Sequence, residues 1–281
     1  MASEEFARSS PIGVFDSGLG GLSVLQHIRQ TLPHEALLYV ADSGFAPYGD
    51  KTSAEILERS IAVTDFLLSK KIKVLVVACN TATAAAIKHL RLHYPDLIIV
   101  GMEPGLKPAS LLSKKKKVGV LATLSTIQSE KYQRLSTQLS EDTGVEFIPQ
   151  ACIGLVDQIE KAEANADQTR LLLKKYLNPL LDAQIDTLVL GCTHYPFVAG
   201  LIQELTSAHI PDGEPIKLID TGKAVASQIQ RLLAERDLTT SNSDTPHINA
   251  YTNGNPEKLK HACTQWINIP EDKLNVFTFN A

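Results

Sequence analysis

Leu75-Val76-Val77-Ala78-Cys79-Asn80-Thr81 and, 113 positions later, Leu188-Val189-Leu190-Gly191-Cys192-Thr193-His194 decide how this chain is read. Each is an apolar run of strand length that ends on a small residue, a cysteine and hydrogen-bonding residues. Each then leads into a helical pattern. A strand that is apolar on both faces needs helices on both sides, which argues for a parallel sheet. A second pair of segments repeats at a similar distance. Gly13-Val14-Phe15-Asp16-Ser17 resembles Gly119-Val120-Leu121-Ala122-Thr123, 106 positions on. Two α/β units with similar wiring, each placing a cysteine at the end of a strand, is the simplest account.

The same alternation continues outward from these runs. Strands are expected at Ile12–Phe15, Leu37–Ala41, Val74–Ala78, Leu97–Val100, Val118–Ala122, Val145–Ile148, Thr187–Gly191 and Lys217–Asp220. Helical stretches lie between them. Leu22, Leu25, Ile28 and Leu32 mark one apolar stripe, and Thr52 with Glu55 forms a capping box that opens a helix from Ser53 to about Lys70. Further helices are expected near Thr81–His93, Ile127–Leu139, Asp167–Leu181, Tyr195–Thr206 and Ala224–Arg236. Met102-Glu103-Pro104-Gly105 and the stretch Ile210–Pro215 interrupt the pattern. The expected division is therefore a first α/β domain of residues 1–101 plus 216–281 and a second of residues 102–215. The stretch Leu238–Ala281 carries no motif. It reads as a strand at His247–Thr252, a helix at Pro256–Trp266 and a strand at Val276–Phe279.

The chain has 281 residues, with 27 Lys+Arg against 31 Asp+Glu, a formal −4. A mildly acidic chain lacks the electrostatic footprint of a nucleic-acid or anionic-membrane partner, and the run Lys114–Lys117 reads as a solvated loop. No apolar run approaches the roughly 20 residues of a membrane helix. The N-terminal MASEEFARSS lacks a secretory pattern, so a cytoplasmic protein is expected. The four cysteines, Cys79, Cys152, Cys192 and Cys263, form no C-x-x-C pair, so neither a disulfide framework nor a structural zinc site is expected.

In parallel sheets, ligands bind at the carboxyl ends of the strands. Four segments are expected there: Asp16–Gly21, Pro47-Tyr48-Gly49, Cys79-Asn80-Thr81 and Cys192-Thr193-His194. The glycine-rich turn fails the dinucleotide fingerprint, because Ser23 stands where the third glycine belongs. Its glycines would still expose N–H groups to a small anion such as a carboxylate. Asp16 is equally readable as an Asx turn, and Tyr48 as turn packing. A cysteine that begins a helix is either a small buried hydrophobe or a reactive thiol, and two in matched settings favour function. Cys152 and Cys263 lack that setting and are assigned to packing. His194 is either a helix cap or an acid–base partner of Cys192; a metal site would need ligands that the neighbouring sequence does not supply.

Taken in order, these segments resemble glutamate racemase, of the aspartate/glutamate racemase superfamily. The match runs through Gly13–Leu22, Tyr39-Val40-Ala41-Asp42, Pro47-Tyr48-Gly49, Ala78–Ala82, Gly119–Tyr132, Gly191–Pro196 and Leu218-Ile219-Asp220, within about residues 10 to 235. The resemblance implies two pseudo-symmetric domains, each a mainly parallel sheet flanked by helices, with the active site in the interdomain cleft. It implies a cofactor-independent two-base racemase that interconverts L- and D-glutamate and so supplies bacterial peptidoglycan synthesis. Cys79 with Asp16, and Cys192 with His194, would serve opposite faces of the substrate. Ser17, Tyr48, Gly49, Asn80, Thr81 and Thr193, together with Asp16 and His194, would hold it. No metal or cofactor is implied; a homodimer is among the implied assemblies. Asp157 stands where many members have Glu and Ile153 where many have Pro, and the first of these bears on an auxiliary acidic contact. The alternatives are a sister racemase acting on aspartate and a non-catalytic binding protein on the same scaffold.

Overall fold

A computed structural model describes residues 7–161, 167–209 and 214–280; most of the interruption expected at Ile210–Pro215 lies outside them. By packing, the chain divides into one unit made of the residues through Met102 and from Gly222 onward, and another made of Glu103–Thr221.

The first unit opens with β1 (Ile12–Asp16), α1 (Leu22–Thr31), β2 (Leu37–Ala41), α2 (Ser53–Ser69), β3 (Val74–Val77), α3 (Asn80–His93) and β4 (Ile98–Gly101). The second follows as α4 (Leu106–Leu112), β5 (Lys117–Ala122), α5 (Leu124–Gln128), α6 (Glu130–Thr143), β6 (Glu146–Ala151), α7 (Leu155–Glu160), α8 (Asp167–Asp182), β7 (Thr187–Gly191), α9 (Ala199–His209) and β8 (Lys217–Ile219). The chain then returns to the first unit as α10 (Gly222–Glu235), β9 (Ile248–Thr252), α11 (Pro256–Gln265) and β10 (Leu274–Thr278). Residues from 216 were expected to rejoin the first domain. Instead β8 pairs with β7, so Lys217–Ile219 complete the second unit's sheet and the return begins at Gly222.

Both sheets are parallel throughout their pairings. Their orders are β10-β9-β2-β1-β3-β4 and β6-β5-β7-β8. Without β9 and β10, the first order has the wiring of the second. The internal repeat is carried into register: Gly13 pairs with Leu75 in the first sheet, and Gly119 with Leu188 in the second. The glycines match because the packing above them matches. A Cβ at Gly13 would come within 2.9 Å of Ile72, and one at Gly119 within 2.8 Å of Ile185.

The strands β1, β2, β3 and β7 are buried along their full length, as apolar strands covered on both faces must be. Helices seal each sheet. Leu67, Ile72, Leu75, Val77 and Leu90 lie in the first core, and Leu106, Val118, Val120, Tyr132 and Val189 in the second. The Thr52–Glu55 capping box forms as expected, with Thr52 Oγ1 accepting from Glu55 N at 3.3 Å and Glu55 Oε2 from Thr52 N at 2.8 Å.

Two expected helices are interrupted. The Ile127–Leu139 stretch divides at Ser129, whose hydroxyl caps α6 by accepting from Tyr132 N at 3.2 Å. The Tyr195–Thr206 stretch opens as a 3-10 turn over Tyr195–Val198, where Pro196 has no N–H to give, before α9 starts. Among the described residues, no helix is long and apolar enough to cross a membrane.

Candidate active site

The chemistry-bearing residues cluster at the carboxyl ends of the strands in each unit. In the first, Asp16 is the last residue of β1 and is fully buried. Its Oδ2 accepts from Gly18 N at 3.3 Å and Gly21 N at 2.9 Å. The sequence suggested that this turn presents its N–H groups to an external anion. Two of them are turned instead onto the chain's own carboxylate, because the loop is short enough to fold back over Asp16. The fold-back leaves no room for a side chain at position 21, where a Cβ would lie 2.6 Å from that of Asp16. Tyr39 closes the turn by donating its hydroxyl to Gly18 O at 2.8 Å.

Cys79 follows β3 and is the N-cap of α3, with its Sγ accepting from Ala82 N at 3.4 Å. Its thiol donates to Ser17 Oγ at 3.7 Å. A negative sulfur here would meet an aligned N–H and the positive end of a helix. Ser17 and Thr81 are buried, while Asn80 and Gly49 are partly exposed.

Tyr48 is 1% exposed and lies within electrostatic reach of Cys79. Its hydroxyl donates to Asp42 Oδ2 at 2.5 Å. Burial first, and the Asp42 carboxylate second, push its pKa far above the usual phenol range, so the group remains a neutral donor. Asp42 was quoted in the sequence only as part of a motif. In the fold it is a hub: Arg59 grips it through Nε at 3.1 Å and Nη2 at 2.7 Å, while the Arg59 guanidinium stacks 3.8 Å from the Phe45 ring centre.

In the second unit, Cys192 follows β7 and is 7% exposed, with Thr193 buried beside it. Its Sγ lies 3.7 Å from His194 Nδ1, and His194 Nε2 lies 2.8 Å from Glu160 Oε1. Burial works against the imidazolium. The hydrogen bonds and charges of Cys192 and Glu160 outweigh it and hold His194 well above its usual range. In the protonated ring both nitrogens are donors, one directed at the sulfur and one at the carboxylate.

Glu160 was not anticipated. Asp157, the position that the family resemblance links to an auxiliary acidic contact, is exposed on the first turn of α7, whereas Glu160 at that helix's end reaches the histidine. The apolar pair Leu155 and Ile159, one helical turn apart, was the available signal for α7. Ile153 is 69% exposed and contributes only its carbonyl, which accepts from Tyr176 at 2.6 Å. Burial pushes the thiols of Cys152 and Cys263 up to about 12, so both stay neutral as packing residues. Among the described residues, no group of three or more His, Cys, Asp or Glu could hold a metal ion.

Residues 12–229 match the family described as Asp/Glu/hydantoin racemase. The chain belongs to that family. Glutamate racemase of Pseudomonas syringae pv. tomato is 51% identical to this racemase over 232 residues, covering 83% of this chain and 82% of the relative. The crystal structure of glutamate racemase isoform RacE1 from Bacillus anthracis has a TM-score of 0.84 at 31% identity, covering 97% of this chain and 98% of that one. Glutamate racemase from Francisella tularensis, in complex with D-glutamate, has a TM-score of 0.80 at 28% identity and covers 98% of both chains.

Proposed function

We propose that this racemase interconverts L- and D-glutamate without a cofactor, with Cys79 and Cys192 as its two bases, and that its D-glutamate feeds peptidoglycan synthesis. The observation that carries this reading is the equivalence of the two thiols. Each stands two residues past the end of β3 or one past the end of β7, strands that hold the same place in sheets of the same wiring. Each also has its own polar partner. The relatives that match most of the chain are glutamate racemases, and one neighbouring structure holds D-glutamate.

Inversion by proton transfer needs two groups. A thiolate takes the Cα proton, leaving the electron pair on a carbanion-like centre, and the opposing S–H returns a proton to the other face. The first sulfur ends as a thiol and the second as a thiolate, so the reverse reaction starts from the enzyme form this one leaves. Ser17 Oγ sits where it can hold the Cys79 proton, and the His194 imidazolium where it can stabilise a Cys192 thiolate. Asp16, Tyr48, Gly49, Asn80, Thr81 and Thr193 are assigned to binding the substrate's carboxylates and ammonium. The buried donors among them resist the reorganisation that water would need around a developing carbanion.

Incubation in D₂O with L-Glu, D-Glu and L-Asp tests the reading. Deuterium is expected at Cα of both glutamate enantiomers with racemisation, and little at aspartate. Preferential exchange of aspartate would move the assignment to a sister activity, and no exchange with any of them would favour a binding protein.

Glu160→Gln gives a pH signature. The neutral amide no longer supports the imidazolium, so the His194 pKa falls toward its ordinary value. Because the protonated ring is the working form in this reading, the alkaline limb of kcat/KM should move to lower pH. Activity at pH 8 should drop by about tenfold or more. An unmoved alkaline limb would remove Glu160 from this role.

A further inference from the structure

The C-terminal stretch, silent as sequence, reaches the loop that carries Tyr48. Strand β9 pairs with β2 so that Thr252 lies opposite Ala41, which sets Asn253 beside Asp42, each one residue past its strand. The Asn253 amide is used on both sides. Its Nδ2 donates to Asp42 Oδ1 at 2.6 Å, and its Oδ1 accepts from Gly44 N at 2.8 Å. The surrounding backbone is close: a Cβ at Gly254 would lie 2.8 Å from Ser43 Cβ, and one at Gly44 would lie 3.1 Å from the Asn253 side chain. Asp42 in turn receives the Tyr48 hydroxyl at 2.5 Å and the Arg59 guanidinium at 2.7 Å.

We propose that Asn253 is a positioning residue of the active site: by gripping Asp42 and Gly44 at once, it fixes the Tyr48 hydroxyl and the Tyr48-Gly49 turn for substrate. The inference rests on the reading of Tyr48 and Gly49 as glutamate contacts. An amide suits the place because one end must donate to a carboxylate while the other accepts from a backbone N–H. Arg59 and Tyr48 hold Asp42 from within the same stretch of chain. Asn253 ties it to a strand more than two hundred residues away, so it removes a freedom that the local contacts leave.

Asn253→Ala is expected to raise KM for glutamate by about fivefold, the loss of roughly one hydrogen bond, while kcat changes by less than about twofold. Hydrogen exchange across residues 42–50 of the substrate-free protein should quicken by a similar factor, with the rest of the first unit unchanged. In a Tyr48→Phe background the alanine substitution should add clearly less to KM, about twofold or below, because the hydroxyl it positions is gone and only the turn is left. The same fivefold penalty in that background, or unchanged KM and exchange in the single variant, would overturn the proposal. If Asn253→Ala does not fold, Asn253→Ser, which retains a hydroxyl, is read in the same way. Wild-type protein inert toward glutamate would remove the functional reading on which the inference rests, whereas the exchange measurement reports the clamp without substrate.

Discussion

Cys79→Ser and Cys192→Ser are each expected to lower glutamate racemisation in both directions by about 10²–10⁴-fold, the range that one positioned proton-transfer group contributes. An alcohol is a far weaker acid than a thiol, so serine can neither exist as the base nor share a proton evenly with the substrate carbon. Loss in both directions is the distinguishing feature. In a two-base reaction, the group that accepts the proton from one enantiomer delivers it to the other. The substitutions are nearly isosteric at positions only 5% and 7% exposed. A serine hydroxyl at position 79 can also take the N-cap bond from Ala82 N that the sulfur now accepts. Thermal unfolding should therefore stay close to wild type, which separates chemistry from folding. Circular dichroism of the amino acid pool follows the rate, and either variant within tenfold of wild type removes that thiol from the mechanism.

Lys73→Met should destabilise the protein by about 3–5 kcal/mol, because one member of a buried ion pair is removed and the other is stranded. The Lys73 and Glu35 side chains are 0% and 2% exposed and meet at 2.6 Å. The ammonium also donates to Arg8 O at 2.5 Å and Leu238 O at 2.8 Å. Burial pulls the Lys73 pKa down, with Glu35 opposing the fall. Glu35 meanwhile accepts from Thr240 N at 2.8 Å. The pair thus ties the start of β3 to the segment that follows α10. Without the lysine, a buried carboxylate and two carbonyls lose their partner, and the melting temperature should fall by on the order of 10 °C. Lys73→Met combined with Glu35→Leu should recover a large part of the loss, since a buried pair replaced whole by apolar groups is often close to neutral. A single variant within about 1 kcal/mol of wild type in urea unfolding would contradict this account.

Much of the fold was legible because its strands are short, apolar on both faces and regularly spaced. The runs at Leu75 and Leu188 each specify a buried parallel strand by composition alone, and the strand register carried the repeat from sequence into structure. The short helices α4 and α7 were not legible. Seven and six residues give too few turns for a periodic pattern. With α7 went Glu160, an acid separated from His194 by 34 positions and adjacent to it only after β7 and α7 are in place. Asn253 was hidden for the same reason, since nothing near it in sequence marks it as the partner of Asp42.

The places of most strands along the chain, the cysteines that follow two of them, and the family to which the chain belongs were all legible in the sequence, because strand burial and motif spacing are local properties. Which carboxylate supports His194, which N–H groups close over Asp16, and which amide holds Asp42 were decided only by tertiary structure. Hydrogen bonds across long loops depend on where strands end in space, and no local pattern of residues encodes that.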